Sequence, residues 1–172
     1  MNVQPDTATD IEIRPAEIAD AGSLARIYNF YIKETIVTFE EEALDAADMV
    51  ERLLDVQRES FPWLVAVRGG EVVGYAYATK WKPRYGYRFS AEVTVYLDRT
   101  CGGRGIGSKL YDQLLPMLKA LGLHMAFGGI ALPNDASVAF HEKFGFVKVA
   151  QFHEVGIKFD RWIDVGYWER VL

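Results

Sequence analysis

The chain has 172 residues, of which 50% are apolar and 25% are charged, and this composition is typical of one globular domain with a buried core. Its net charge of -5 argues against a nucleic-acid partner, because binding to phosphates requires clustered Lys and Arg. No apolar run is long enough to span a bilayer, and the polar N-terminus lacks a signal-peptide pattern. The single cysteine excludes an internal disulfide and a Cys-rich metal site. We therefore expect a cytoplasmic protein with no metal and no membrane partner.

The hydrophobic periodicity divides the chain into strands and helices. Residues 1–10 predict a flexible tail, and residues 11–172 predict a single α/β domain with a mostly antiparallel mixed sheet. The predicted strands lie at 11–16, on either side of the Gly69–Gly70 turn within 63–81, and at 91–97, 124–132, 146–159 and 162–172. The predicted helices lie at 21–34 and 45–59, between the glycine-rich stretch and Gly122, and at 136–144.

The sequence predicts one further feature in each of two helices. The second helix is predicted to turn four apolar residues inward: Met49, Val50, Leu53 and Leu54. The third helix contains Pro116, which has no N–H group and is therefore expected to kink the helix or to shift its boundary.

The stretch GGRGIGSK, residues 102–109, places four glycines between a predicted strand and a predicted helix. Glycine at such a junction indicates that a ligand approaches the backbone closely. A P-loop is disfavoured, because Ser108–Lys109 reverses the order of Lys and Ser/Thr that the motif requires. A dinucleotide-binding loop is disfavoured, because the glycines between residues 103 and 107 alternate and the third is misplaced.

Two interpretations of this stretch stay open: a pyrophosphate-binding turn of a third kind, and a plain tight turn without a ligand. Consecutive backbone N–H groups at the start of a helix can hold a diphosphate, and Arg104 adds a positive charge. Residues 102–107 resemble the coenzyme A motif Q/R-x-x-G-x-G/A of the GCN5-related N-acetyltransferase (GNAT) superfamily. Gly102 departs from the motif, because it stands where the family has Gln or Arg.

Further segments resemble the phosphinothricin and methionine sulfoximine acetyltransferase group of this superfamily. They are YNFYIKETIVTFE, AYATKWKPRYGY, AEVTVYL, GIGSKLY, LPNDASVAFHEKFGF and GIKFDRWIDVGYW. The resemblance implies the GNAT acyl-CoA N-acyltransferase fold, in which helices flank a sheet whose central strands splay apart around acetyl-CoA, and it implies a homodimer. It predicts coenzyme contacts at Val95, Tyr96, Leu97, Gly102, Gly103, Arg104, Gly105, Ile106, Gly107, Ser108 and Asn134. A plain helix N-cap is the alternative role for Asn134.

Acetyl transfer to an amine needs a general base, because most amines are protonated at pH 7. The resemblance places the catalytic glutamate at Glu92, which acts directly or through a water. From the residues alone, a solvated glutamate at a strand edge is the simpler interpretation. His141 stands where many members of the superfamily carry a tyrosine acid, and the resemblance predicts a role in proton shuttling or orientation. A surface or capping histidine is the alternative.

The loop WKPRYGY combines cations with aromatic side chains. Lys82 and Arg84 can pair with an acidic group and Tyr87 can donate a hydroxyl, although a solvated loop has the same composition. The resemblance predicts acceptor contacts at Phe39, Lys82, Arg84, Tyr87 and Tyr111, and at Val165 from the second subunit.

The expected reaction is direct transfer of acetyl from acetyl-CoA to the α-amine of a small amino-acid analogue. Phosphinothricin and methionine sulfoximine or sulfone are the expected acceptors. Two alternatives stay open from the sequence. One is a GNAT enzyme that acts on another small amine or a protein N-terminus, and the other is a non-catalytic acyl-CoA-binding module.

Overall fold

Strands and helices follow one another in the predicted order within residues 10–172, which are the residues that the computed structural model describes. The predicted tail lies outside them, apart from Asp10. The strands are β1 (Ile11–Pro15), β2 (Trp63–Arg68), β3 (Glu71–Lys80), β4 (Ser90–Leu97), β5 (Met125–Leu132), β6 (Val147–Lys158) and β7 (Arg161–Val171). The helices are α1 (Ala21–Glu34), α2 (Ala46–Arg58), α3 (Ile106–Ala120) and α4 (Asp135–Lys143), with short 3₁₀ turns at Ile18–Asp20 and Tyr85–Tyr87. Within residues 10–172, no helix combines the length and the apolar content that a bilayer crossing demands.

The strands form one sheet in the order β1-β2-β3-β4-β5-β7-β6. Every neighbouring pair is antiparallel except β4 and β5, which are parallel. Their pairing joins only Ser90–Glu92 to Met125–Phe127, and beyond Glu92 the two strands diverge. β5 pairs instead with β7 along its whole length. The sheet is therefore split into two halves, with a gap between the carboxyl ends of β4 and β5. The predicted mostly antiparallel mixed sheet is confirmed.

Two buried clusters cover the two faces of the sheet. Helices α1 and α2 pack on one face, where Leu24 and Leu53 belong to the same buried cluster as Tyr75 of β3. Helix α3 packs on the other face, where Leu110 meets Ala76, the next residue of β3. Because successive side chains of a strand point to opposite faces, β3 contributes to both clusters. Helices on both faces fix the central strands firmly, up to the point where they diverge.

The structure corrects two details of the helices. Leu54, predicted to face inward, is 36% exposed, and Val56 is buried instead. The spacing of Met49, Leu53 and Val56 keeps them on one helical face, whereas Leu54 lies about 100° away from its neighbour. Helix α3 continues through Pro116, so the proline does not set a helix boundary.

Candidate active site

A cleft of about 710 Å³ lies in the gap between the diverging strands β4 and β5. Its walls extend to β6, to β7 and to the irregular segment 35–45 that joins α1 to α2. The predicted site residues that line it are Phe39, Glu92, Val95, Tyr96, His141 and Val165. The cleft also includes residues that the sequence did not indicate, among them Thr38, Ser137, Phe152 and Tyr167.

The carboxylate of Glu92 lies at the point where β4 and β5 part. Glu92 is the last residue of β4 that pairs with β5, and its side chain is half-buried. Gly129 gives it room, because a Cβ atom there would lie 3.1 Å from Oε1 of Glu92 and 3.2 Å from the ring of Tyr167. Burial raises the pKa of Glu92, and the charge of Lys82 lowers it in part. A carboxylate with a raised pKa is better matched to proton transfer near neutral pH.

His141 reaches the cleft from the other face of β5. A Cβ atom at Gly128 would lie 2.7 Å from Nε2 of His141, so the missing side chain makes room for the imidazole ring. Since successive Cβ atoms of a strand point to opposite faces, Gly128 makes room on one face and Gly129 on the other. The two predicted catalytic residues, Glu92 and His141, therefore border the gap from opposite faces of the sheet.

Two hydrogen bonds fix the tautomer of His141. Its Nδ1 atom lies 2.8 Å from the carbonyl oxygen of Ser137, one turn earlier on α4. A carbonyl can only accept, so Nδ1 carries the proton, and Nε2 of the neutral ring accepts from the Tyr111 hydroxyl at 3.3 Å. Burial lowers the pKa of His141, and the bond to Ser137 opposes this in part. Both ring nitrogens are thus occupied, which favours an orienting role over a free proton shuttle.

Tyr111 is a correction to the predicted acceptor contacts. Its side chain is 0% exposed, and its ring packs edge-on against Phe140 at a centroid distance of 4.8 Å. It shares a face of α3 with the buried Leu114 and Leu118, three and seven residues later. A direct contact with an acceptor is therefore wrong in this structure. The polar contact that the structure gives Tyr111 is the one with His141.

The backbone groups of β4 face β3 and the gap alternately. The N–H of Asp98 donates to the carbonyl oxygen of Val73 in β3, so Leu97 and Val95 turn their N–H and C=O groups toward the gap. Val95 lines the cleft. Leu97 already exchanges hydrogen bonds with the hydroxyl of Tyr31, which lies 2.7 Å from its carbonyl oxygen and 3.3 Å from its nitrogen. A coenzyme contact at Leu97 would therefore compete with Tyr31.

The glycine turn leads into α3 with two residues in the left-handed region. Gly103 has a φ of 72° and Gly105 has a φ of 76°, and side chains disfavour both conformations. Apart from adjoining residues, no described atom lies within 4 Å of the Cβ positions at Gly102, Gly103 or Gly105, so the turn is open to a ligand. At Gly107 a Cβ atom would lie 3.2 Å from the ring of Phe140, so this glycine lets α3 approach α4.

The remaining predicted coenzyme residues lie near the starts of α3 and α4. Arg104 is exposed, whereas Ile106 is buried and offers only its backbone. The Ser108 hydroxyl accepts a hydrogen bond of 2.9 Å from Nζ of Lys143, a cation that the sequence did not indicate. Asn134 caps α4, because its Oδ1 atom accepts a bond of 3.1 Å from the N–H group three residues later.

The part of the cleft that contains the predicted acceptor contacts Phe39 and Val165 is assembled from separate segments. The ring of Phe39 packs on Gly156 of β6, where a Cβ atom would overlap the ring. β6 bulges just before Gly156, because its register with β7 shifts there. Val165 of β7 lines the cleft within the same chain, whereas the resemblance assigned this contact to the second subunit.

The predicted acceptor cations lie outside the cleft. Among residues 10–172, no Lys or Arg side chain lines it. Arg84 and Tyr87 are exposed in the loop between β3 and β4, so their acceptor contacts stay predictions. The ammonium of Lys82 lies 4.7 Å from the centroid of the neighbouring Trp81 ring, and its charge lowers the pKa of Glu92. Lys82 thus lies outside the lining of the cleft, but its charge acts on Glu92.

Residues 13–166 match the family model described as an acetyltransferase (GNAT) domain. The chain belongs to the GNAT acetyltransferase family. It is 40% identical to the phosphinothricin N-acetyltransferase of Streptomyces coelicolor, over 98% of this chain and 99% of that protein. It is 32% identical to the L-methionine sulfoximine/L-methionine sulfone acetyltransferase of Salmonella typhimurium, over 91% of this chain and 92% of that protein.

Solved structures support the same assignment. A GNAT phosphinothricin acetyltransferase from Sinorhizobium meliloti, in complex with acetyl-CoA, matches with a TM-score of 0.91 and 32% identity, over 94% of this chain and 88% of that one. The yncA protein of Salmonella typhimurium, with its cofactor acetyl-CoA, matches with a TM-score of 0.91 and 31% identity, over 94% of each chain. The predicted family and fold are confirmed, and this GNAT protein is an acetyl-CoA-dependent N-acetyltransferase.

Tyr167 is the clearest residue of the GNAT site that the sequence reasoning missed. Its ring lies beside the Cβ position of Gly129 and meets Trp81 edge-on at a centroid distance of 5.3 Å. Burial raises the pKa of its hydroxyl, and the charge of Glu92 adds to that shift. The alternation of β7 puts Tyr167 on the same face as Val165, two residues earlier. This alternation is a signal in the sequence that could have identified Tyr167.

Proposed function

We propose that this GNAT acetyltransferase moves the acetyl group of acetyl-CoA to the α-amine of a small amino-acid analogue. The leading acceptors are phosphinothricin and methionine sulfoximine or sulfone. The observation that carries the proposal is the half-buried carboxylate of Glu92 at the fork of β4 and β5, where burial raises its pKa. Relatives that acetylate phosphinothricin, at 40% identity, and methionine sulfoximine, at 32% identity, support the acceptor class.

The proposed reaction is a direct transfer within a ternary complex. Glu92 accepts a proton from the ammonium group of the acceptor, directly or through one water, and so frees the nitrogen lone pair. The nitrogen attacks the thioester carbonyl, and a backbone N–H that faces the gap, such as that of Val95, stabilises the oxyanion. The C–S bond then breaks, and the departing thiolate takes up the second proton that the nitrogen loses as it becomes an amide. The products are the N-acetylated amine and coenzyme A.

His141 contributes orientation in this proposal. Its neutral ring is held by the carbonyl oxygen of Ser137 and by the hydroxyl of Tyr111. The ring fills the space beside Gly128 and so shapes one wall of the cleft. Since neither ring nitrogen is left without a partner, we expect His141 to fix the wall next to the thioester.

The coenzyme is proposed to bind mainly through backbone groups. Val95 turns its backbone groups toward the gap, and Leu97 joins it once the hydroxyl of Tyr31 is displaced. Tyr96 borders the cleft, but its backbone groups face β3. The pyrophosphate rests on the N–H groups of the turn 102–107, where the Cβ positions of three glycines face open space.

Side chains at the two helix starts complete the proposed coenzyme site. Arg104 and Ser108 add polar side chains beside the pyrophosphate. Lys143, bonded to Ser108, adds a cation at the first turn of α3, where Gly102 lacks the usual side chain. Asn134 lies beside the pantetheine arm in this proposal, as well as capping α4.

Acceptor recognition is proposed to combine one charge with apolar contacts. Lys82 lies close enough to Glu92 to lower its pKa, so it can pair with an acidic group of an acceptor whose amine faces Glu92. Phe39 and Val165 line the same cleft and contact the acceptor side chain. Arg84 and Tyr87 are exposed on the loop that follows Lys82, so their contacts require that loop to close over the acceptor.

A homodimer belongs to the same proposal. β6 is an edge strand, and its apolar residues Val147, Val149 and Ile157 are 65%, 49% and 50% exposed. A long apolar edge strand is an unstable surface in water unless another chain covers it. Phe152 of the same strand lines the cleft, so a partner chain on β6 would lie beside the proposed acceptor site. Light scattering after size exclusion tests this, and a monomer at every concentration would contradict it.

An acceptor panel with detection of the released thiol tests the proposed function. The panel holds phosphinothricin, methionine sulfoximine, methionine sulfone, ordinary amino acids and short peptides with free N-termini. We expect the first three to give the highest kcat/KM. If peptides react and the free amino acids do not, the acceptor class is wrong. If acetyl-CoA binds tightly and no amine releases thiol, the chain is a non-catalytic acyl-CoA-binding module.

A further inference from the structure

Lys158, the last residue of β6, carries a charged side chain that is only 1% exposed. Its Nζ atom donates to the carbonyl oxygen of Thr38 at 2.5 Å and lies 3.5 Å from that of Tyr31. Tyr31 is in the last turn of α1, where carbonyl oxygens have no partner within the helix and carry partial negative charge. Burial of an ammonium is costly without such partners. The charge of Lys158 is therefore tied to the backbone around Thr38.

Thr38 is held from α1 and α2 as well. Its Oγ1 atom lies 2.7 Å from the hydroxyl of Tyr28, and that hydroxyl donates to Glu40 at 3.0 Å. Glu40 accepts two hydrogen bonds of 2.8 Å from the guanidinium of Arg52 in α2. The segment between α1 and α2 has no regular secondary structure, so these contacts and the bond from Lys158 hold the part of it around Thr38 in place.

Thr38 and the next residue, Phe39, form the wall of the cleft on its proposed acceptor side, and we call this pair the acceptor wall. Thr38 and Phe39 both line the cleft. The ring of Phe39 lies on Gly156, two residues before Lys158 on the same strand. β6 thus holds this wall in two ways, with an ammonium on the backbone of Thr38 and with a bare glycine beneath the ring of Phe39.

We propose that Lys158 is a positioning residue that sets the acceptor wall of the cleft through Thr38 and Phe39. This inference rests on the proposed function, because it concerns the acceptor pocket of the same reaction. Lys158 does not line the cleft, so we expect no direct contact between it and the acceptor. Its charge fixes the carbonyl of Thr38, which places the ring of Phe39 and so sets the room for the acceptor side chain.

The test compares Lys158→Met, which keeps the length and removes the charge, with the wild type. We expect the KM for methionine sulfoximine to rise about 10-fold, because small misplacements in a binding site have large kinetic effects. The KM for acetyl-CoA should change by less than about 2-fold, because the coenzyme side does not depend on Thr38. Lys119→Met is the matched control, since Lys119 is exposed in the last turn of α3, away from the cleft, and its replacement should leave both constants unchanged.

A double-mutant cycle with Phe39→Ala separates positioning from general stability. If Lys158 acts through Phe39, the double variant has nearly the acceptor KM of Phe39→Ala alone, and the two effects do not multiply. Multiplied effects would overturn the proposal, and so would a Lys158→Met enzyme with an unchanged acceptor KM. If Lys158→Met does not fold, Lys158→Arg replaces it, with an expected rise of about 3-fold in acceptor KM and none for acetyl-CoA. A wild type that acetylates no amine would instead contradict the proposed function.

Discussion

The proposed coenzyme site and the proposed acceptor side of the cleft are built in different ways. The proposed coenzyme site comes mainly from one continuous stretch, which runs from the part of β4 that lines the cleft through the glycine turn into α3, and much of what it offers is backbone. The proposed acceptor side brings together Phe39, Gly156 and Tyr167, which come from three separate segments. Its shape depends on side chains that meet only in the folded chain. A site made of backbone tolerates changes of side chain, whereas a site made of packed side chains depends on each of them.

Glu92→Gln should give the largest effect, because Glu92 stands where the two sides meet. We expect kcat to fall about 100-fold or more, because a general base contributes on that scale. The Kd for acetyl-CoA should stay unchanged, since the amide has the shape of the carboxylate. Burial raises the pKa of Glu92, so wild-type activity should fall as the pH drops through that raised pKa. Steady-state kinetics against pH should show this limb in the wild type, and its survival in the Gln variant would rule out Glu92 as the base.

The same variant makes a prediction about stability. The pKa of Glu92 is higher in the folded state than in the unfolded state, because burial disfavours the charged carboxylate. The protonated carboxyl group therefore stabilises the folded state fully below the unfolded pKa, and this stability is lost as the pH rises through the folded pKa. Glu92→Gln should therefore be more stable than the wild type at pH 7, and this difference should shrink toward pH 4. Urea unfolding at both pH values measures it. Equal stability at pH 7 would mean that burial of the Glu92 carboxylate carries no penalty.

Substitutions at Gly128 and Gly129 should separate the two faces of β5. A Cβ atom at position 129 would crowd Oε1 of Glu92 at 3.1 Å, so Gly129→Ala should lower kcat/KM for the acceptor by about 10-fold. A Cβ atom at position 128 would lie 2.7 Å from the buried ring of His141, so Gly128→Ala should cost about 1–3 kcal/mol of stability. Kinetics and urea unfolding are measured for both. The same change in both variants would contradict the assignment of opposite faces.

The sequence predicted features that depend on local patterns better than features that depend on contacts between distant segments. The order of elements and the glycine turn depend on local patterns, and the structure has both. Leu54 was predicted to face inward, but adjacent apolar residues in α2 do not show which of them lies at the centre of the buried helical face. Tyr111 was placed wrongly although its spacing to Leu114 puts it on the buried face of α3. The contact between Phe39 and Gly156 has no local signal, because it depends on a register shift between β6 and β7.

Gly105→Ala should weaken the coenzyme side without touching the acceptor side. The φ of Gly105 is 76°, and a side chain in the left-handed region costs about 1–2 kcal/mol. Relief of this strain would turn the N–H groups of the turn away from the pyrophosphate, so the Kd for acetyl-CoA should rise about 5-fold. The acceptor KM at saturating acetyl-CoA should not change. Calorimetry gives the first value and thiol release the second, and a change confined to the acceptor KM would contradict the separation of the two sides.

Gly102→Gln should have the smallest effect, because it restores the side chain that the family motif has at this position. Gly102 is not among the residues with positive φ, and its Cβ position faces open space, so glutamine fits without strain. One added, solvent-exposed hydrogen bond to the pyrophosphate should contribute at the low end of about 0.5–1.5 kcal/mol, so we expect acetyl-CoA to bind about 3-fold more tightly. Gly103→Gln is the matched control, because that site is equally open but has a φ of 72°, and it should bind more weakly. If Gly102→Gln leaves the Kd unchanged, the backbone of the turn and the cation of Lys143 already hold the pyrophosphate fully. The coenzyme side would then have lost a side chain without losing its function, as a site built on backbone allows.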